Sequence, residues 1–256
     1  MKFFLDDDRP PDDRNRLLNA VTSYASAFHS ESPASQLLSL WSSLEAILPA
    51  PSGKSSRITS FARDVRSCYT RLYFVRLLGA LDFDLYGLYR DTYSTIIAKA
   101  VSAREDSVSR LASMMCLPSN VSLHAEVGSM CATNPLGHQR LFELYDAGNT
   151  TKKLYGLVLA AGQKVERQLR RIYRERNRIV HRASPSENLE LLIHTLNAYI
   201  LIVFESLVRS SLPVKTIDDV FAEIRIMEDA RARRVSRLTD NPLDDDSLDI
   251  VLGPER

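Results

Sequence analysis

The amino-acid sequence predicts an all-α fold, and three observations support that prediction. Apolar residues recur at spacings of three and four along most of the 256 residues, as expected for helices with one buried face. Only nine residues are glycine, and no convincing pair of strands interrupts the pattern. Clear helix starts are also present, such as Ser32-Pro33, where a hydroxyl N-cap precedes a proline at the first helical position.

The predicted helices follow one another with short connections. Paired prolines and Ser/Gly-rich stretches mark the ends of several of them, and Ser184-Pro185-Ser186-Glu187 has the arrangement of a capping box. The segment between residues 116 and 134 has no clear pattern. The expected helices span residues 13–28, 32–48, 57–78, 81–101, 104–115, 135–146, 151–182, 184–212 and 217–238.

The domain organisation follows from the same pattern and from the acidic ends of the chain. Residues 1–12 form an acidic lead-in that contains two prolines. Residues 13–238 are expected to fold as one helical domain. Residues 239–256 form an acidic tail that we expect to be solvated or disordered, because it carries several aspartates.

The composition excludes several classes of protein. There are 33 Lys and Arg residues against 32 Asp and Glu residues, so the net charge is +1 and a wholly basic nucleic-acid binder is excluded. A hydrophobic content of 45% excludes a disordered chain. Three scattered cysteines indicate a reducing compartment, and no stretch of the sequence approaches the ~18 apolar residues of a membrane span. We therefore expect a cytoplasmic protein without membrane association.

The positive charge is concentrated in one stretch of the chain. Between residues 164 and 182 there are eight Lys or Arg residues and only two acids, an excess of six in a chain whose total is +1. Such a concentration favours phosphate binding. A solvated helix face with cations near its C-terminus is the alternative.

The apolar stripe of this helix points to one arginine in particular. Val165, Leu169 and Ile172 lead by a step of four to Arg176, at a position where a leucine is expected. An arginine there needs either a buried partner or a partner subunit. Asn177 and His181 lie four residues apart on an adjacent stripe and are therefore neighbours.

These residues resemble a known family. Arg176-Asn177-x-x-x-His181 is similar to the signature of the HEPN superfamily, an arginine and a polar residue followed by a histidine. The helix that begins at Ser32 and contains Trp41 and Glu45 resembles the early helix of the Apea-like HEPN group. The two motifs occur in the expected order, and the resemblance spans residues 32–212.

The resemblance implies a HEPN-like bundle with two long antiparallel helices, and a metal-independent endoribonuclease that needs no cofactor. His181 would serve as general acid or base, Arg176 would neutralise the phosphorane, and Asn177 would hold the imidazole or a phosphate oxygen. Glu45 is the expected ion-pair partner of Arg176. The arginines expected to follow the RNA backbone are Arg170, Arg174, Arg178 and Arg182.

The resemblance also implies partners and a setting. HEPN domains are often dimeric, so we expect a homodimer with a composite site. Antiviral or abortive-infection defence is the implied setting, with an antitoxin, a sensor domain or another defence component as further partners.

Two other interpretations remain open at this point. The protein is alternatively a catalytically silent helical module that dimerises and binds nucleic acid or a partner protein, or a regulatory subunit of a larger defence assembly. The Cys/His series formed by Cys116, His124, Cys131 and His138 lacks the short paired spacings of structural zinc sites, so no metal site is expected there.

Overall fold

A computed structural model describes residues 10–51, 56–182, 187–210 and 216–237, together with Leu243, Asp244, Asp246 and Leu248. Every regular element in these residues is helical, which confirms the all-α prediction. In chain order the α-helices are α1 (Pro11–Phe28), α2 (Pro33–Ile47), α3 (Arg57–Ile97), α4 (Ser107–Cys116), α5 (Val121–Met130), α6 (Pro135–Gly148), α7 (Thr151–Arg182), α8 (Leu189–Arg209) and α9 (Ile217–Ser236).

The helix starts follow the local chemistry seen in the sequence. Ser32 caps α2 by accepting a hydrogen bond from the backbone N–H of Ser35 at 3.2 Å, and Pro33 occupies the first helical position. Asp106 caps α4 in the same way through the N–H of Ser109 at 2.9 Å. Three of the four residues of the expected capping box, 184–186, lie outside the described residues.

The region from Arg57 to Ile97 differs from the prediction. Two helices separated near residue 80 were expected, but α3 runs through that point without a break, because a single glycine in a helix interior is tolerated. The irregularity lies instead at Arg90, the one described non-glycine residue with a positive φ, at 37°. That conformation is strained for a residue with a side chain.

The segment without a clear pattern, residues 116–134, is also helical. A 3-10 turn (Pro118–Asn120) leads into α5. The buried amide of Asn120 secures this turn by bonding the backbone of Val101 in both directions, at 3.0 Å to its N–H and 2.9 Å to its carbonyl. Because the order of this segment depends on that non-local contact, spacing alone does not predict it.

The chain divides into two compact units, where the sequence predicted one domain. Unit 1 comprises Met1–Tyr69 and Gly162–Glu228, and unit 2 comprises Thr70–Ala161 and Asp229–Arg256. Each unit is therefore assembled from two separate stretches of chain. In unit 1, α2 packs against α1 and α8, with Trp41, Phe61 and Phe221 fully buried. In unit 2, α4 packs against α5 and α6 around a core that includes Phe74, Leu111 and Met114.

The acidic tail is not wholly disordered, contrary to expectation. Leu243 and Leu248 are each 3% exposed and belong to the core of unit 2. Between them a helical hydrogen bond joins the N–H of Leu248 to the carbonyl of Asp244 at 2.9 Å. The acidic tail therefore contains two apolar side chains that are buried in the core of unit 2.

One described helix has the length and composition of a membrane span. An 18-residue window of α8 has a mean hydropathy of 1.8, so by length and composition alone this helix could cross a membrane. Half of that window is buried within the protein, and core helices of globular domains pass the same test.

Candidate active site

The candidate site lies on the second half of α7, in unit 1. The predicted apolar stripe is confirmed here, because Val165, Leu169, Ile172 and Ile179 are all buried. This face anchors the helix in the core and turns the opposite face outward.

Glu175, rather than Arg176, occupies the buried position in the next turn. Glu175 is 8% exposed, whereas Arg176 is only half-buried. On a regular α-helix, residue 176 lies about 25° from the centre of this stripe and residue 175 about 75° from it on the other side, so the period favours Arg176 and the burial of Glu175 comes from the tertiary packing. Glu175 lies three residues after Ile172 and four before Ile179, and this spacing is the signal in the sequence that could have identified it as buried. Its carboxylate lies 3.7 Å from Arg178 Nε.

Arg176 is bonded to its neighbour in sequence. Its Nη1 donates a hydrogen bond to Oδ1 of Asn177 at 3.2 Å, and both side chains are half-buried. Among the described residues Asn177 makes no hydrogen bond to His181, so the expected orientation of the imidazole by Asn177 is not formed in this structure. The amide orients the guanidinium instead.

His181 lies in the last turn of α7 and is exposed. Five residues separate it from Arg176, which on a regular helix corresponds to about 140° of rotation and 7.5 Å of rise. One copy of α7 therefore presents the two side chains in different directions.

A strongly basic surface extends along α7 toward His181. Arg170, Arg174 and Arg182 are exposed, and the side chain of Arg178 is 39% exposed. The two acids of this stretch are already engaged: Glu166 binds Arg66 at 2.8 Å, and Glu175 is buried. The same surface also carries the exposed side chains of Lys164, Arg167 and Arg171.

The ion pair expected between Glu45 and Arg176 is not formed. Glu45 pairs with Arg57, with Oε1 3.6 Å from Nη2. Glu45 lies in the last turn of α2 and Arg57 is the first residue of α3, so this ion pair joins the end of one helix to the start of the next. The prediction was wrong because it considered the helix face of Glu45 and not the chain that follows it.

Trp41, the other landmark of the early helix, is part of the core. It is 1% exposed and lies between two aromatic rings, 5.5 Å from Tyr173 and 6.3 Å from Phe61. Tyr173 precedes Arg176 by three residues, so Trp41 secures the part of α7 that carries the candidate site. Its role is structural.

The cysteine and histidine residues of unit 2 form no metal centre among the described residues. Burial raises the pKa of the Cys116 thiol to about 12, so it stays protonated at neutral pH. His124 stacks on Tyr145 with 3.9 Å between ring centroids, and burial together with the nearby His138 lowers its pKa. Cys116 and His124 therefore contribute to packing in unit 2.

Comparisons with models of protein families, with curated proteins and with solved structures find no match to this chain.

Proposed function

We propose that this protein is a metal-independent endoribonuclease of the HEPN type, with Arg176, Asn177 and His181 at its active site. The observation that carries the proposal is the basic surface of α7, on which exposed lysine and arginine side chains outnumber the acids and which ends at an exposed histidine. A polyanion is the complementary ligand for such a surface. A histidine beside a bound phosphodiester is the group suited to proton transfer at neutral pH.

The proposed reaction is an internal transesterification. The 2′-hydroxyl of the RNA forms a new bond to the adjacent phosphorus as its proton passes to a general base. The bond to the 5′-oxygen breaks, and that oxygen leaves with a proton from a general acid. His181 supplies one of these two roles, and Arg176 balances the charge on the phosphorane with its fixed set of donors.

Asn177 and a second copy of the chain complete the proposed site. The hydrogen bond at 3.2 Å from Arg176 to Asn177 restricts the guanidinium before substrate binds. Since Arg176 and His181 of one helix point in different directions, a homodimer would provide the arginine and the histidine from different subunits. Arg170, Arg174, Arg178 and Arg182 would bind the RNA backbone. Defence against viruses, with a partner that restrains the enzyme, is the setting we propose.

Cleavage of end-labelled RNA in EDTA tests the proposal. We expect the wild type to release products with 2′,3′-cyclic phosphate ends, and His181→Ala to lower the rate at least about 100-fold. Arg176→Ala should have a similar effect, and Arg176→Lys should not restore the rate because lysine lacks the planar fork. His138→Ala, which removes an exposed histidine of unit 2, is the matched control and should cleave normally.

The second candidate function is a catalytically inactive RNA-binding module. The same basic surface favours it, but the outcome that it predicts is different. It predicts RNA binding that weakens steeply with salt, without cleavage and without sensitivity to His181→Ala. Cleavage that persists in folded His181→Ala would contradict the proposed active site.

A further inference from the structure

Unit 2 contains a cavity of about 290 Å³ that is lined by residues of three helices, α3, α6 and α7. All of the lining residues belong to unit 2. Most of them are apolar, and the largest are Tyr73, Leu77, Leu81, Leu144 and Leu157. Leu81 and Leu144 are buried in the core of the unit, whereas the other three are only partly buried. The cavity is therefore an apolar space next to the core of unit 2.

The volume of this cavity suits the apolar part of a small organic molecule. A cavity of about 150 Å³ holds a benzene ring, so in proportion this one has room for about eight to twelve carbon atoms. Apolar walls with a few polar groups that orient the ligand are typical of small-molecule sites in proteins. Two charged side chains, Arg140 and Glu143, also line the cavity, and they decide which head group such a ligand carries.

The two charged residues differ in their partners. They lie three residues apart and therefore on the same face of α6. Arg140 is already paired, because its Nη1 donates a hydrogen bond to Oδ2 of Asp84 on α3 at 3.0 Å. Glu143 accepts a hydrogen bond from the uncharged amide of Gln139 at 2.9 Å, and no cation among the described residues is paired with it. The α6 side of the cavity thus presents a carboxylate without a counter-ion.

We propose that this cavity binds a small organic ammonium ion, with the apolar body of the ligand among the leucines and the ammonium group at Glu143. An anionic head group is disfavoured, because Glu143 repels it and Arg140 is held by Asp84. Glu143 is exposed, so its attraction for the ammonium group is moderate and weakens as the salt concentration rises. Burial of the apolar body supplies the rest of the affinity.

Three probes with the same alkyl chain separate the effect of the head group from that of the chain. They are n-octylamine, which is protonated at neutral pH, 1-octanol and octanoate. Titration calorimetry of the full chain at low salt measures their affinities. We expect octylammonium to bind about fivefold more tightly than octanol and at least about tenfold more tightly than octanoate.

Two substitutions on α6 should change the affinity for octylammonium in opposite directions. Glu143→Gln should weaken its binding about fivefold and leave octanol binding unchanged. Arg140→Gln should strengthen its binding about threefold, because Asp84 then becomes a second carboxylate without a counter-ion. Glu126→Gln on α5 is the matched control: this carboxylate pairs with Lys99 at 3.0 Å and does not line the cavity, so all three affinities should stay the same.

A larger side chain at the rim tests the cavity itself. Ala80 lines the cavity from an exposed position on α3, so Ala80→Phe fills the space without removing a buried side chain. This variant should weaken the binding of all three probes at least about tenfold. Circular dichroism verifies that each variant is folded.

Two results would overturn the binding site: no binding of any of the three probes, or binding that folded Ala80→Phe leaves unchanged. The ammonium ligand would be wrong if octanol or octanoate bound as tightly as octylammonium, or if Glu143→Gln left octylammonium binding unchanged. The cavity lies in unit 2, the candidate active site lies in unit 1, and the titration contains no RNA. Its result is therefore independent of whether the protein cleaves RNA.

Discussion

Asp64 is the residue whose burial has the clearest energetic consequence. Its side chain is fully buried and accepts a hydrogen bond from Nη1 of Arg225 at 2.8 Å, while its Oδ2 has no partner among the described residues. Burial raises the pKa of this carboxyl above its ordinary value of 3.8, and Arg225 opposes that rise. A carboxyl with a raised pKa binds its proton more tightly in the folded chain, so its contribution to stability falls as the pH rises through that pKa.

Removal of Arg225 should therefore destabilise the protein more at neutral than at acid pH. Arg225→Ala leaves a buried carboxylate without its main partner, and we expect a loss of about 2 kcal/mol at neutral pH. At acid pH the protonated carboxyl needs no counter-ion, so the loss should shrink. Urea denaturation at the two pH values measures this.

Lys99→Ala is the control for that measurement. Lys99 forms an exposed pair with Glu126 at 3.0 Å, and exposed pairs contribute below about 1 kcal/mol. An equal loss for Arg225→Ala at both pH values would show that the contribution of Arg225 to stability does not depend on the charge of Asp64.

At the scale of elements, the contact between α4 and α6 depends on the absence of a side chain. A Cβ at Gly148 would lie 2.9 Å from the carbonyl oxygen of Met115 and 3.0 Å from Sγ of Cys116. A backbone oxygen in a packed core has little freedom to move. The end of α6 approaches α4 this closely only because residue 148 is glycine.

The substitution Gly148→Ala should therefore lower stability by about 1–3 kcal/mol through overpacking. Gly156→Ala on α7 is the matched control, since no atom lies within 4 Å of a Cβ built at that position. The control should raise stability by about 0.5–1 kcal/mol, because alanine restricts the unfolded chain and favours a helix. Thermal unfolding measures the stability of both variants. A Gly148→Ala variant that is more stable than the wild type would contradict the close packing.

At the scale of the whole molecule, each unit is assembled from two stretches of chain that are distant in sequence. Unit 2 is completed by residues after Asp229, and Leu243 and Leu248 place the last described part of the chain in its core. Sequence-distant contacts of this kind make each unit depend on stretches that lie more than 60 residues apart.

Truncation of one of these anchors should loosen unit 2. Leu243→Ala removes buried methyl groups and should cost about 2–3 kcal/mol, with faster amide exchange in α4, α5 and α6. Leu136→Ala, at a position 63% exposed, should leave the exchange unchanged. If amide exchange were unchanged in Leu243→Ala, the result would contradict the burial of Leu243 and would support the solvated tail that the acidic composition predicts.

The sequence by itself determined the all-α fold, the bounds of α7, the cap of α2 and the basic surface that leads to His181. These features depend on residues within a few turns of one another, and the period of the helix with its local capping chemistry encodes them. Local sequence did not predict that α3 continues past residue 80. The helix continues there because packing offsets the cost of a glycine in a helix interior.

Only the tertiary structure decided which partner each side chain meets. The pairing of Glu45 with Arg57, the burial of Glu175 in place of Arg176, and the entry of Leu243 into the core of unit 2 all depend on how the chain turns between elements. Helical periodicity places a residue on a face to within about 50°, whereas a contact requires a few ångströms, and that precision comes from the packing of segments distant in sequence.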